Sequence, residues 1–258
     1  MAEAYSDVRG FRTLLAKEIR RFVSVIGQTV TAPVVTALLY LVVFAQALRG
    51  QPSSYPDVSY TQFLVPGLIM MSVLQNAFAN TSSSLTQSKF MGNLVFVLMA
   101  PLSTLEIFGA YVLAALLRAA LVVVVLIAAT WPFVHLVIER PLALIAMFLL
   151  AGGTLAALGM IGGIVATKFD HLAAFQNFVV MPLSFLSGVF YSIHSLPPFW
   201  EQVSRFNPFF YLIDGFRYGF FGVGDAPILH SLLWGLGCFL LVSTVCITML
   251  KTGYKLRA

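Results

Sequence analysis

Apolar residues along this chain fall into six runs, residues 26–48, 62–85, 107–131, 142–166, 175–194 and 228–250, separated by polar stretches. A helix needs roughly 20 mostly apolar residues to cover a hydrocarbon core about 30 Å thick. Each run therefore predicts one crossing, and several carry no charge. Residues 6–25 show another pattern. Phe11, Leu14, Leu15, Ile19, Phe22, Val23 and Ile26 recur at helical spacing, while Arg12, Lys17, Arg20 and Arg21 fall on other faces. This predicts an amphipathic helix in the headgroup plane. Residues 195–227 differ again. Two pieces, 197–205 and 208–221, are hinged at Asn207-Pro208 and crowded with aromatic rings. Neither is long enough to cross, and such rings favour the interface. They predict a hairpin of half-helices dipping into the outer leaflet, with Asp214 and Arg217 paired on one helix face. The expected fold is all-α: an integral membrane protein of six transmembrane helices, an N-terminal interfacial amphipathic helix and an external re-entrant helical hairpin, in one domain over residues 1–258.

Composition strengthens this picture. Hydrophobic residues make up 59% of the 258 and charged residues 10%, where an ordinary soluble domain has about 25% charged. The first 25 residues are charged throughout and no small-residue cleavage site follows the first run, so that run reads as a permanent helix. Cytoplasmic loops collect Lys and Arg. With the N-terminus inside, Arg9, Arg12, Lys17, Arg20, Arg21, Lys89, Lys168, Lys251, Lys255 and Arg257 lie inside, against Arg49, Arg140, Arg205 and Arg217 outside. Both termini are expected to be cytoplasmic. The net charge of +5 is then a topology signal, with no nucleic-acid partner implied.

Polar residues inside the spans are the candidates for chemistry. The second run carries Gln75, Asn76, Asn80, Thr81, Ser82 and Ser83. Such residues avoid lipid and face a bundle interior, a subunit interface or a water-filled path. Arg118 lies ~20 Å into the third span at 1.5 Å per residue. It calls for water, backbone carbonyls, the second-span amides or an anionic substrate group as partner. The fourth run contains Gly159-x-x-x-Gly163, a pattern that lets helices approach closely. Between the second and third spans, residues 88–100 predict a short helix whose apolar run 94–100 lies outside the membrane and implies burial against headgroups or a partner protein. Ser103 and Glu106 have capping-box spacing, which makes Glu106 a helix cap rather than a proton carrier. Thr167-Lys168-Phe169-Asp170-His171 forms a second cytoplasmic contact point.

The chemistry of an enzyme is not visible. No G-x-x-x-x-G-K-[ST] loop is present to hold ATP phosphates, and no G-x-S-x-G or H-E-x-x-H motif occurs. Cys238 and Cys246 are eight residues apart on one helix, about 12 Å, too far for a disulfide. Both read as packing residues. An integral membrane lipid-modifying enzyme would have to be built from Arg118 and the second-span amides. A passive channel or assembly scaffold is the remaining alternative.

Several segments match one known family: Phe63-Leu64-Val65-Pro66-Gly67-Leu68, Ala100-Pro101-Leu102-Ser103, Phe169-Asp170, Gly188-Val189-Phe190-Tyr191, Leu196-Pro197-Pro198-Phe199-Trp200, and Asn207-Pro208 followed by Tyr211 and Gly215-Phe216-Arg217-Tyr218-Gly219. Over nearly its whole length the chain resembles the membrane subunit of type-2 ABC exporters, close to the YadH-like permeases and related to nodulation-factor and O-antigen export permeases. The resemblance implies a homodimeric permease without its own ATPase site. Each copy would dock a separate ATP-binding cassette subunit, which binds ATP and Mg. It places coupling to the ATPase at Lys89, Phe90, Asn93, Leu94, Phe96, Lys168 and Asp170. The pathway or gate would involve Gln75, Asn76, Asn80, Arg118, Asn207, Pro208, Tyr211, Asp214 and Arg217. Relatives carry acidic residues after the asparagine of the coupling helix; here Asn93 is followed by Leu94, Val95 and Phe96, which makes the expected contact mostly apolar. The implied cargo is amphipathic: a glycolipid, a lipid-linked glycan or a drug. The dimer seam is expected along spans one, two and five, from the polar face of span two and Pro182.

Overall fold

The computed structural model describes residues 8–47, Tyr55 and residues 58–256, so Arg49 and Arg257 lie outside the described residues. Among the described residues there is no strand. The helices are α1 (Val8–Val23), α2 (Ile26–Ala47), α3 (Tyr60–Phe90), α4 (Leu94–Met99), α5 (Thr104–Thr130), α6 (Pro141–Val165), α7 (Phe169–Phe175), α8 (Met181–Phe185), α9 (Pro198–Phe206), α10 (Pro208–Phe221) and α11 (Ile228–Thr252). Five of them, α2, α3, α5, α6 and α11, are long and apolar enough to cross a membrane.

α3 is the axis of the bundle. It is the least hydropathic of the five spanning helices and also the most deeply buried, whereas α2 and α11 are largely exposed. The order follows from the solvent: lipid accepts Val35, Leu39, Leu240 and Leu241 on the outside, so the polar helix goes to the middle. α6 packs on α3 more closely than any other helix does. The glycines set that distance. A Cβ at Gly163 would stand 2.9 Å from Leu85 Cβ and 3.1 Å from the Ser82 carbonyl, and one at Gly159 would run into Thr81 Oγ1 and the Phe78 carbonyl. Thr81 Oγ1 donates across the seam to the Ala156 carbonyl at 2.7 Å. The expectation of close packing at Gly159-x-x-x-Gly163 holds. The box at the start of α5 holds too: Ser103 N–H donates to Glu106 Oε2 at 2.7 Å and Glu106 N–H to Ser103 Oγ at 3.2 Å. Ser59 and Gln62 form a second such box ahead of α3, which the sequence reading did not pick out.

The fifth crossing departs from its expected span of 175–194. Helix begins at Phe169, widens to a π turn over Gln176–Val180 and stops at Phe185. Pro182 is the physical cause of the π turn: it has no N–H to donate and its ring crowds the preceding turn, which the wider turn relieves. Seventeen helical residues reach about 25 Å, short of a full core. The chain then climbs as irregular backbone over residues 186–192. Such backbone is tolerated at membrane depth only where protein satisfies its polar groups. Arg217 donates to the Gly188 carbonyl at 2.8 Å and the Val189 carbonyl at 3.3 Å, and Tyr60 Oη to the Phe190 carbonyl at 2.8 Å. Gly188 itself adopts φ +73°, a left-handed turn suited to glycine.

The segments expected in the cytoplasm gather at one end of the bundle. Gly10 lies against Leu102, Lys89 Nζ reaches the Ile164 and Ala166 carbonyls, and Leu256 is buried. At the other end Arg140 N–H bonds the Gly219 carbonyl, and Ser192 Oγ donates to Asp225 Oδ1 at 2.8 Å.

Candidate functional site

α1 builds the site. Its stripe of positions 11, 14, 15, 18 and 22 includes one acid, Glu18, between the buried Leu14 and Phe22. Packing α1 against α5 and α3 carries that carboxylate inward, where it is fully buried. Glu18 accepts from Ser84 Oγ at 2.6 Å, Lys17 Nζ at 2.7 Å and Arg21 Nε at 3.3 Å. Lys17 and Arg21 were expected on outward faces. They turn toward α3 because the buried carboxylate draws them in. Arg21 donates to the Asn80 carbonyl at 2.7 Å, to Asn80 Oδ1 at 2.9 Å and to Ser83 Oγ at 3.3 Å.

Arg118 arrives from α5. Helical side chains lean toward the N-terminus of their helix, which brings its guanidinium back to the α3 amides. It donates to Asn76 Oδ1 at 3.2 Å and Asn80 Oδ1 at 3.4 Å. Of the partners expected for Arg118, the second-span amides are therefore the ones present. Arg21 and Arg118 thus meet on one oxygen, no further apart than the two bonds laid end to end. Lys17, Arg21 and Arg118 set three positive charges against the single negative charge of Glu18. Two like charges ~6 Å apart repel by about 3 kcal/mol at an effective dielectric of about 20.

This cluster forms one wall of a cavity of about 510 Å³. Gln75, Asn76 and Ser72 of α3, Gln28 of α2 and Gln176 from the π turn supply further polar lining. Pro33, Ala37 and Tyr40 of α2 with Leu68 and Met71 of α3 supply an apolar wall. The cavity lies chiefly between α2 and α3, with Arg21 of α1, Arg118 of α5 and Gln176 of the fifth crossing at its edges.

A second cluster sits at the C-terminal tip of α3. α3 continues to Phe90, turns at Met91–Asn93 with Gly92 at φ +72°, and gives way to α4. The short helix expected over 88–100 is therefore shorter, and Lys89 belongs to the end of α3. Its ammonium caps the C-terminal carbonyls of α6 at 3.0 and 3.2 Å, which directs it into the bundle rather than toward a partner. Leu94 is also turned inward, 4% exposed, and anchors α4. Phe96 is 72% exposed and Met99 78%, with Met91 and Val95 beside them. Asn93 is exposed, and Phe90 packs edge-on against Phe169 at 5.1 Å, next to the exposed Lys168 and Asp170. An exposed apolar tip thus touches the 168–170 corner.

The third cluster is the α9–α10 hairpin. α9 and α10 meet at Asn207, whose Oδ1 caps α10 at the Phe209 N–H and whose amide donates to the Leu183 carbonyl at 2.7 Å. Pro208 starts α10, and Tyr211 stacks on Trp234 at 5.3 Å. Asp214 and Arg217 do not pair. Asp214 accepts from the Asp225 N–H at 2.8 Å, the Ala226 N–H at 3.0 Å and Tyr55 Oη at 3.2 Å. Arg217 lies over the Phe63 ring at 3.8 Å and feeds the 188–189 carbonyls. Buried backbone groups outcompete the local helix pair, since leaving them unmet costs more than a surface pair gains.

Residues 9–221 match the family described as ABC-2 type transporter. The chain belongs to the ABC-2 type transporter family. It is 36% identical over 249 residues to the inner membrane transport permease YadH of Escherichia coli strain K12, covering 96% of both chains. Nodulation protein J of Rhizobium leguminosarum bv. viciae is 27% identical over 184 residues, 70% of each chain, and that of bv. trifolii 28% over 194 residues, 70% of this chain and 69% of the relative.

In this ABC-2 permease, a membrane transport permease subunit, the expected pathway residues separate into two places. Gln75, Asn76 and Arg118 line the cavity, with Asn80 buried behind Arg21 and Arg118; Asn207, Pro208, Tyr211, Asp214 and Arg217 hold the hairpin together. Glu18 was missed. Its signal was legible, an acid on the apolar stripe of an amphipathic helix. Asp225, which accepts from the Ile193 N–H at 3.0 Å, gave no signal within its loop.

Proposed function

We propose that the chain is the membrane half of an ATP-driven exporter of the bacterial inner membrane. Two copies face each other, both termini cytoplasmic, and each docks a separate ATP-binding cassette subunit that holds ATP and Mg. The cargo is amphipathic: a glycolipid, a lipid-linked glycan or a drug. The observation that carries the reading is α4, an apolar six-residue helix exposed at the tip of the most buried helix. A water-facing Phe96 and Met99 are costly unless a partner covers them.

The mechanism follows from the geometry. α4 is tied to α3 by three residues and by the buried Leu94, so a push on α4 reaches α3 as a body. Asn80 lies ten residues above Phe90 on that helix, ~15 Å at 1.5 Å per residue. A displacement at the tip therefore moves the amides that hold Arg21 and Arg118. ATP closure of the partner favours one packing and its release the other, by as much as its affinity for the two differs. The cavity along spans one, two and five supports those spans as the seam, and its mixed lining supports an amphipathic cargo. Lys168 and Asp170 complete the docking corner.

The test is purification of the chain with its ATPase, followed by reconstitution. Phe96→Glu is expected to lower permease-dependent ATP hydrolysis at least fivefold in a complex that still elutes as one species. Unchanged hydrolysis in that variant, or a permease that moves cargo with no ATPase present, would overturn the assignment.

A further inference from the structure

We propose that the cavity between α2, α3 and α5 binds the phosphoryl group of an amphipathic anion. The inference deepens the transport reading by naming the chemistry at one end of the cargo or of a resident lipid. Three observations converge. Arg21 and Arg118, from two different helices, are held on the single Asn80 Oδ1. Among the described residues their one carboxylate partner, Glu18, is already engaged by Lys17, Arg21 and Ser84, and the acceptors that meet Arg118 are neutral amide oxygens. Among the described residues, Arg118 Nε, Asn80 Nδ2 and Gln75 Nε2 are buried donors without a protein partner. A site with surplus positive charge and surplus donors is complementary to an oxyanion.

Geometry selects the kind of anion. A carboxylate presents two oxygens in a single plane, which a single guanidinium fork matches. A phosphodiester presents two charged oxygens and a phosphomonoester three, splayed tetrahedrally about phosphorus, so donors that arrive from different helices can share one group. The cavity is too large for a free phosphate alone, and Pro33, Tyr40, Leu68 and Met71 supply apolar lining. That lining fits hydrocarbon next to the charged head. A phosphodiester lipid and a phosphorylated cargo share this chemistry.

The test uses the full chain, without an ATPase, so that it stands apart from the coupling test above. The purified permease is placed in nanodiscs of phosphatidylglycerol or phosphatidylcholine, and retained lipid is counted by native mass spectrometry. In parallel, inorganic pyrophosphate is titrated in neutral detergent and thermal unfolding followed. Wild type is expected to retain phosphatidylglycerol, or to be stabilised by pyrophosphate, with at least tenfold weaker binding in Arg118→Gln and partial recovery in Arg118→Lys. Retention of the lipid assigns the site to a headgroup; a response to pyrophosphate alone assigns it to a phosphorylated cargo. Should Arg118→Gln fail to fold, Gln75→Leu carries the same expectation with the charge network untouched. Equal retention of both lipids together with no response to pyrophosphate overturns the proposal, as does binding that none of the variants weakens.

Discussion

Two glycines three residues apart in α6 should answer the same substitution in opposite ways. A Cβ at Gly159 would fall inside the contact distance of Thr81 Oγ1 and of the Phe78 carbonyl. The carbonyl is α3 backbone and cannot rotate away, and Thr81 Oγ1 is held at 2.7 Å by the Ala156 carbonyl. Gly159→Ala therefore has to part the two helices or break that bond. Overpacking costs about 1–3 kcal/mol, and an interhelical hydrogen bond in a membrane about 0.6 kcal/mol. The better helix propensity of Ala returns up to about 1 kcal/mol. The net is a loss of about 1–3 kcal/mol. At Gly162 the nearest atoms to a new Cβ are Leu172 Cδ2 at 3.4 Å and Phe78 Cζ at 3.6 Å, ordinary contacts with side chains. Only the propensity gain is left, so Gly162→Ala should be neutral or up to about 1 kcal/mol more stable. Unfolding by sodium dodecyl sulfate in mixed micelles, followed by tryptophan fluorescence, measures both. If Gly159→Ala unfolds at the wild-type midpoint, or Gly162→Ala falls as far as it does, close backbone approach is not what sets the α3–α6 distance.

Three further outcomes are expected. Lys89→Met removes the cap on the α6 carbonyls and should cost about 1–2 kcal/mol in the same unfolding assay, with ATPase stimulation per folded complex unchanged; a selective loss of stimulation would return Lys89 to the docking surface. Glu18→Gln leaves Arg21 and Lys17 without their carboxylate and should cost about 2 kcal/mol, below the 3–5 of a fully buried pair because both cations keep contact with solvent; no change in midpoint would remove Glu18 from the network. Glu201 titrates below its ordinary 4.5, first because Arg205 donates to it and then because His194 lies beside it. A depressed carboxylate contributes above its unfolded pKa and loses that contribution as pH falls through the folded value. Fluorescence of Trp200 on the same helix should therefore be flat at neutral pH and change only in acid, and Glu201→Gln should remove the acid step.

The crossings were legible because lipid enforces length and composition together, and five of the six runs match their helices to within five residues at each end. The fifth was not, because its apolar run 175–194 contains two physically different pieces. Pro182 announces a fault in the helix but not whether the chain kinks or stops. What stops it is Arg217, more than thirty positions further on, whose donors make irregular backbone affordable at Gly188 and Val189. The Asp214–Arg217 pairing failed for the same reason. Spacing of three permits a pair, but both side chains had better partners in segments that sequence spacing cannot place. Asn76, Asn80 and Arg118 were legible as polar residues out of place in lipid. Their meeting point was not, because it depends on the depth at which α1 packs, and Glu18 sets that depth.

α3 carries polar residues where a spanning helix is ordinarily apolar, and the bundle is arranged so that this does useful work. A lipid-facing α3 would leave Asn76, Asn80 and Ser84 unmet. Buried, they become fixed points to which α1, α5 and α6 are each tied by at least one directional bond, Ser84 to Glu18, Asn76 to Arg118 and Thr81 to Ala156. Directional bonds hold discrete positions, whereas apolar contacts slide. A helix bound in this way shifts as a body or not at all. α4 is joined to its C-terminal end and the cavity opens beside its middle. The residues that would recognise an anion are thus the residues through which a push on α4 is felt, so binding in the cavity and force at the tip act on one equilibrium. Linkage then requires each to shift the other by the same free energy.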